Sequence, residues 1–231
     1  MDSKREITIV DNGGKMNIEK KMTHIWIGPK APPLKWMNTW KEKHPDWEYS
    51  IFTDEMLKSR KWKNQHLIDK YYNMGKFAGA HDLIRYELIY EQGGFWPSAD
   101  SVCLHPVDEL FTSPANHAYT VYENEKAKPG FTSPILAANP GNEVCKAIVD
   151  HLNKLDPSQL SIHPFASTGN GFLSKFLPQF KDKLTIWPSY TLIPQWYANG
   201  SPYYSGPGKV YAEQYWGSTG FKHLKGYDAG R

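Results

Sequence analysis

The stretch 76–92 contains no proline and no glycine after Gly79, and it runs into Gly93-Gly94. That combination predicts a helix with a glycine stop. Ala80, Ile84 and Leu88 form one apolar stripe while Leu83 and Tyr90 face elsewhere, so the helix is expected to be buried on most sides. Phe95-Trp96 then begins a short strand that ends in the polar run Ser98-Ala99-Asp100-Ser101. Upstream, the apolar run 23–27 is stopped by Gly28-Pro29 and reads as a buried strand. Pro32-Pro33 opens a helix with Leu34, Met37 and Trp40 at three-residue spacing, and 47–52 reads as a second strand. Thr53-Asp54-Glu55 caps a further short helix. Strand, helix, strand, helix is the order of an α/β sheet with nucleotide-type topology.

Past the polar run, 102–110 leads into loops, and 118–122 and 133–138 look like further strands. The spacing of Val144, Ile148 and Leu152 predicts a helix over 143–155. The last seventy residues are rich in Pro, Gly, Trp and Tyr and read as loops and short elements wrapped on the sheet. A short β-type run at 7–10 precedes the turn signal Asn12-Gly13-Gly14. No linker-like stretch divides the 231 residues, so one domain is expected over 1–231, with a polar extension at 1–20 and a closing segment at 205–231.

Composition removes several function classes. Lys plus Arg 27 against Asp plus Glu 24 is too even, and the lysines too scattered, for a nucleic-acid binder. No apolar run approaches the length of a membrane span, and the polar start MDSKRE is no signal peptide; a cytoplasmic protein is expected. Cys103 and Cys145 fit no metal or disulfide pattern and are expected to be reduced, buried thiols. Nine Trp and 14 Tyr are a surplus, from which many are expected to line surfaces or pockets that meet sugars or bases.

Chemistry concentrates between residues 80 and 100. Asp82 and Arg85, three apart on a helix, share one face. On an exposed helix they would be an ordinary ion pair; on a mostly buried one such a pair is costly unless it binds something. The Gly-Gly break and the strand bring Asp100 back towards that helix, at the strand end where open α/β sheets hold ligands.

The order Ile25-Trp26-Ile27-Gly28, Asp82-x-x-Arg85, Gly93-Gly94 and then a short acidic motif resembles the DxD-type sugar-binding glycosyltransferases. These include yeast-type mannosyltransferases, capsular polysaccharide transferases and clostridial glucosylating toxins. The resemblance runs over 24–110, with a fainter echo at 211–219. It implies a GT-A fold, a Rossmann-like nucleotide-sugar-binding α/β domain with a mixed central sheet flanked by helices. It also implies a nucleotide-diphosphate sugar donor (UDP- or GDP-linked), a glycan or glycolipid acceptor, and transfer with retention. The implied cofactor is a divalent cation, usually manganese, with magnesium as its substitute.

Carried over position by position, Trp26, flanked by Ile25 and Ile27, would stack on the donor base. Asp82 and Arg85 would grip the donor sugar, with His81 beside them, and Asp100 would be the direct metal ligand. Trp216 and Ser218 would close over the diphosphate, and Glu213 or Gln214 would add a ligand to the cation.

Two departures accompany the resemblance. Ser98 stands where the family has the first acid of its motif, and Gln214 where many relatives have His. A neutral hydroxyl is a poorer partner for a hard cation, so weak metal binding is expected. A catalytically weak or inactive sugar-nucleotide or glycan binder of the same fold is therefore the alternative to an enzyme. His24, His105 and His163 show no ligand spacing and read as structural. Thr168-Gly169-Asn170-Gly171 resembles a loop of relatives and reads first as a turn, with acceptor contact as its alternative. Asn199-Gly200-Ser201 has the form of a glycosylation sequon but needs a secretory route that the sequence start does not provide.

Overall fold

The computed structural model describes residues 16–198 and 200–216; the run 7–10, Asn199 of the sequon and Ser218 lie outside them. β1 (Lys21–Ile25) buries Met22, His24 and Ile25. After the Gly-Pro stop, α1 (Leu34–Lys43) begins behind Pro33 and carries Lys41 and Lys43 in its last turn, where cations suit the helix dipole. β2 (Glu48–Phe52), α2 (Asp54–Lys58), α3 (Gln65–Asn73) and α4 (Phe77–Gln92) follow. β3 (Gly94–Phe95), β4 (Ser101–Cys103), β5 (Ala118–Val121) and β6 (Ala137–Ala138) form the middle of the chain. α5 (Glu143–Leu152) is capped by Asn142, whose side chain accepts the N–H groups of Val144 and Cys145 at 3.0 and 3.2 Å. α6 (Pro164–Ser167), α7 (Asn170–Phe176), β7 (Leu184–Trp187) and β8 (Ala212–Gln214) complete the order.

The main sheet has six strands in the order β2-β1-β3-β6-β5-β7. β1 is parallel to β2 and β3, β6 is antiparallel to β3 and β5, and β5 is parallel to β7. Only β6 is reversed, so β1, β2, β3, β5 and β7 all point their carboxyl ends at one edge. This is the expected mixed sheet flanked by helices. α4 is enclosed as its sequence requires: every residue from Gly79 to Ile89 is buried except the half-buried His81. It packs between α3 and α5 over one core, which includes Leu83, Ile84, Leu88 and Ile148. A second core on the other face joins Trp40, Phe95, Phe111, Tyr119 and Trp187 through edge-on ring contacts.

Several expectations are corrected. The strand expected over 133–138 narrows to Ala137–Ala138, and the helix over 143–155 ends at Leu152. The run after residue 100 opens as a strand, not a loop, and the last seventy residues supply β7 to the main sheet and β8 to a small second sheet with β4. α3 had no counterpart in the sequence reading. The aromatic surplus is chiefly core: six of the nine tryptophans are buried, and Trp40, Trp62, Trp96 and Trp187 each give their indole N–H to an internal oxygen. Ile18, within the polar first twenty residues, is itself buried in the second core. Both thiols are free and buried, as expected.

Candidate donor site at the carboxyl edge of the sheet

Three strand ends build the first wall. The β1 chain continues into Trp26, whose N–H bonds the carbonyl of Phe52 at the end of β2. The Trp26 ring is half-buried and its indole N–H donates to the Lys30 carbonyl at 2.6 Å, which fixes the ring on the turn it begins. Ile25 and Ile27 bury their side chains in the core, so their contribution to the edge is backbone. Asp54, just past β2, accepts the Gly28 N–H at 3.0 Å and the Tyr72 hydroxyl at 2.7 Å. Gly28 has φ +94°, and a Cβ there would lie 2.9 Å from the Phe77 ring at the start of α4. That close approach seats the amino end of α4 on the same edge.

On α4, Asp82 and Arg85 are both buried. The Asp82 carboxylate accepts the Thr168 hydroxyl at 3.1 Å, and Tyr86 one turn on donates its hydroxyl to the Thr168 carbonyl at 2.7 Å. A Cβ on Gly169 would come within 3.4 Å of the same carboxylate. The 168–171 loop is thus brought directly onto Asp82. Arg85 sits one turn from His81, with Nη2 and Nε2 3.3 Å apart. Burial, and then the Arg85 charge, pull the His81 pKa down, so its neutral ring accepts from the guanidinium. Burial lowers the Arg85 pKa as well, against the neighbouring Asp82 charge. The Arg85 Nε–H is buried and has no hydrogen-bond partner among the described residues.

The motif segment follows β3. Ser98 Oγ accepts the Asp100 N–H at 3.3 Å and the Gln214 side-chain N–H at 3.2 Å, while the Ser101 hydroxyl donates to the Ser98 carbonyl at 2.6 Å. The pairing of β4 with β8 sets Ser101 opposite Gln214, and the Tyr215 N–H reaches the Asp100 carbonyl at 2.7 Å. Alternation along β8 turns Glu213 the other way: its two carboxylate oxygens accept the hydroxyls of Tyr203 and Tyr215 at 2.6 and 2.5 Å. Gln214, not Glu213, therefore faces Ser98. Trp216 is half-buried, has φ +44° and meets the Tyr197 ring edge-on at 5.5 Å. Beneath the segment lies a cavity of about 30 Å³, lined among others by Ser98, Gln214, Trp40 and Leu136.

For a divalent cation this donor set is one carboxylate, one hydroxyl and one amide. No cluster of three His, Cys, Asp or Glu residues suited to a metal occurs among the described residues. The oxygens are hard donors, and rotating the Gln214 amide would turn its oxygen towards Ser98. Asp100, Ser98 and Gln214 supply oxygens that fit a hard cation, provided that most of its ligand charge comes from a bound anion.

The sequence reading missed Glu123, two residues beyond β5 and on the same edge. It is buried, accepts the Asn170 amide at 2.9 Å and the Trp196 indole N–H at 3.3 Å, and so ties α7 and the 190s loop to the sheet. A single acid in a loop gives no signal of this. His24 is structural, as its isolation implied: it is fully buried, 2.9 Å from the Tyr49 hydroxyl and edge-on to Trp40.

Residues 34–116 match the family described as a glycosyltransferase sugar-binding region containing a DXD motif. The inositol phosphoceramide mannosyltransferase 1 of Schizosaccharomyces pombe is 27% identical over 175 residues, covering 70% of this chain and 52% of that protein. The initiation-specific alpha-1,6-mannosyltransferase of Candida albicans is 31% identical over 96 residues, which are 38% of this chain and 25% of that protein. The chain thus spans about half the length, or less, of these curated relatives. Among solved structures, the PaToxG glycosyltransferase superposes with a TM-score of 0.57 at 15% identity, covering 71% of this chain and 70% of that one, a likeness of fold.

Proposed function

We propose that the chain, whose residues 34–116 match the DXD-containing glycosyltransferase sugar-binding region, is a retaining enzyme moving a sugar from a nucleotide-diphosphate donor to a glycan or lipid-linked acceptor. The observation that carries this reading is the buried Arg85 Nε–H without a partner, beside a buried Asp82. An orphaned charged donor costs a fold about 1–3 kcal/mol or more, and a ligand oxygen removes that cost. A sugar hydroxyl or phosphate oxygen suits Arg85, and a sugar hydroxyl suits the acceptor capacity left on Asp82. Trp26, on the adjacent strand end, offers its ring to the base.

Asp100 would hold the cation, with Ser98 and Gln214 as neutral partners. When bound, the cation would neutralise charge on the departing diphosphate. The chain's own residues orient the donor: Thr168 and Tyr86 fix the loop over Asp82, and Glu123 fixes Asn170 and Trp196 on the side left for an acceptor. The fungal relatives, both mannosyltransferases, favour mannose as the sugar, and one of them favours an inositol phosphoceramide as acceptor.

The alternative is a member that binds the donor without transferring its sugar. It is favoured by Ser98, whose oxygen already accepts two N–H groups and carries no charge. Titration with UDP- and GDP-sugars, with and without Mn²⁺, followed by assay of donor cleavage, separates the two. Cation-dependent cleavage that disappears in Asp100→Ala establishes the enzyme; binding with no turnover in the presence of acceptors establishes the binder.

A further inference from the structure

The five large apolar side chains that stand exposed among the described residues are Leu34, Met56, Met74, Ile162 and Phe165. They come from four separate places in the sequence order, each next to an element that starts or ends at the carboxyl edge of the sheet. Leu34 opens α1, which leaves the carboxyl end of β1, and Met56 lies in α2, which leaves the carboxyl end of β2. Met74 caps the end of α3, at the turn into the amino end of α4. Ile162 and Phe165 flank the start of α6, where the Tyr71 hydroxyl holds the Ser161 carbonyl at 3.1 Å and Phe165 packs against Gly169 and Gly171. Gly169 in turn adjoins Asp82. The exposed apolar surface is therefore not scattered: it rims the edge where the donor site lies.

Cations accompany it. Lys128 stands 5.1 Å from the Phe165 ring centre and 5.5 Å from that of Phe131, and these two rings stack in parallel at 5.8 Å. Lys30 is exposed on the turn that seats Trp26, and Lys76 precedes α4. Glu55 and Glu125 also lie on this side and set a limit to its positive charge. Apolar side chains mixed with lysines on one side of a protein match the boundary of an anionic bilayer, where rings and aliphatic groups enter the headgroup layer and ammonium groups meet phosphates.

We infer that this edge docks on anionic membrane, with the donor site facing the lipid headgroups, so that the acceptor is presented by the membrane itself. The inference rests on reading the carboxyl edge as the donor site. Two separate measurements keep the failures apart: vesicle binding reports the surface, and nucleotide-sugar titration in solution reports the site.

The experiment is flotation of the full chain with vesicles of phosphatidylcholine alone or of phosphatidylcholine with phosphatidylinositol. The chain should float with the second, less with the first, and less again as salt is raised. The double variant Met56→Ser/Ile162→Ser changes only exposed side chains. It should reduce partitioning by about tenfold per side chain removed, while donor titration stays at the wild-type value. Lys128→Glu should weaken binding to the anionic vesicles alone. The inference is overturned if the wild type stays with the soluble fraction, if both vesicle types bind it equally, or if the double variant floats like the wild type. It is also overturned if these side chains instead close a dimer, seen as a concentration-dependent mass lost in the double variant.

Discussion

Replacing His24 by glutamine should remove a specific part of the protein's acid sensitivity. The imidazole is fully buried on β1, between the edges of the Trp40 and Tyr49 rings. Burial first, and the Arg85 charge second, bring its pKa down to about 3 from the ordinary 6.5. The folded state thus holds the neutral ring, while the unfolded chain takes up a proton near pH 6.5. Stability from this source is complete above pH 6.5 and is lost as pH falls towards 3, at about 1.4 kcal/mol per pH unit. At pH 5 the loss is about 2 kcal/mol, a large share of the roughly 5–15 kcal/mol that holds a domain together. His44 and His81 are lowered by burial too, so the wild-type slope exceeds that of one group. In His24→Gln the side-chain amide would keep a polar partner for the Tyr49 hydroxyl without titrating. Urea midpoints at intervals from pH 7.5 to 5 give both curves, and their difference isolates the one histidine. Their separation should close by about 1.4 kcal/mol per unit below pH 6.5. Parallel curves would refute the placement of a neutral His24 in the core.

Four further outcomes follow from the site. Ser98→Asp restores a second carboxylate and should raise Mn²⁺ affinity by on the order of tenfold or more, read by calorimetry with a nucleoside diphosphate present; an unchanged affinity would count against Ser98 as a cation neighbour. Thr168→Val strips a hydroxyl donor from buried Asp82, costing about 1–3 kcal/mol in a denaturant melt and weakening donor binding. Removing the ring in Trp26→Ala should weaken nucleotide binding more than stability, and equal losses would make that ring a core element. Gly93→Ala meets both a φ of +65° and a Cβ 2.5 Å from Pro140 Cδ, so a loss of about 1–3 kcal/mol is expected by thermal unfolding.

The sequence carried the first third of the fold well because its signals are local. Pro32-Pro33 opens a helix, Gly93-Gly94 stops one, and the apolar face of α4 needs burial whatever surrounds it. Asp82, Arg85 and Asp100 stand out as candidates for the same reason, since charge on a buried helix and acid at a strand end are readable from neighbours. Glu123 was not, because its meaning comes from Asn170 and Trp196, 47 and 73 positions away. β4 and β8 were hidden by their length: three residues show no alternation, and only their pairing decides that Gln214 meets Ser98 while Glu213 meets tyrosines. The excess of tryptophan was read towards the surface, yet the core supplies enough internal carbonyls to satisfy most of the indoles.

The antiparallel pair formed by 101–103 and 212–214 carries a consequence for how the protein is made. When residue 200 has been made, synthesis has already delivered the helix bearing Asp82, the acid at 100 and the loop at 168. What it has not delivered is the strip of backbone that fastens residue 100 in place. The candidate cation site is thus fastened only after its own residues exist, and a stop codon just ahead of residue 212 would leave Asp100 without that backbone partner while every residue from Ser98 to Asp100 stayed unaltered.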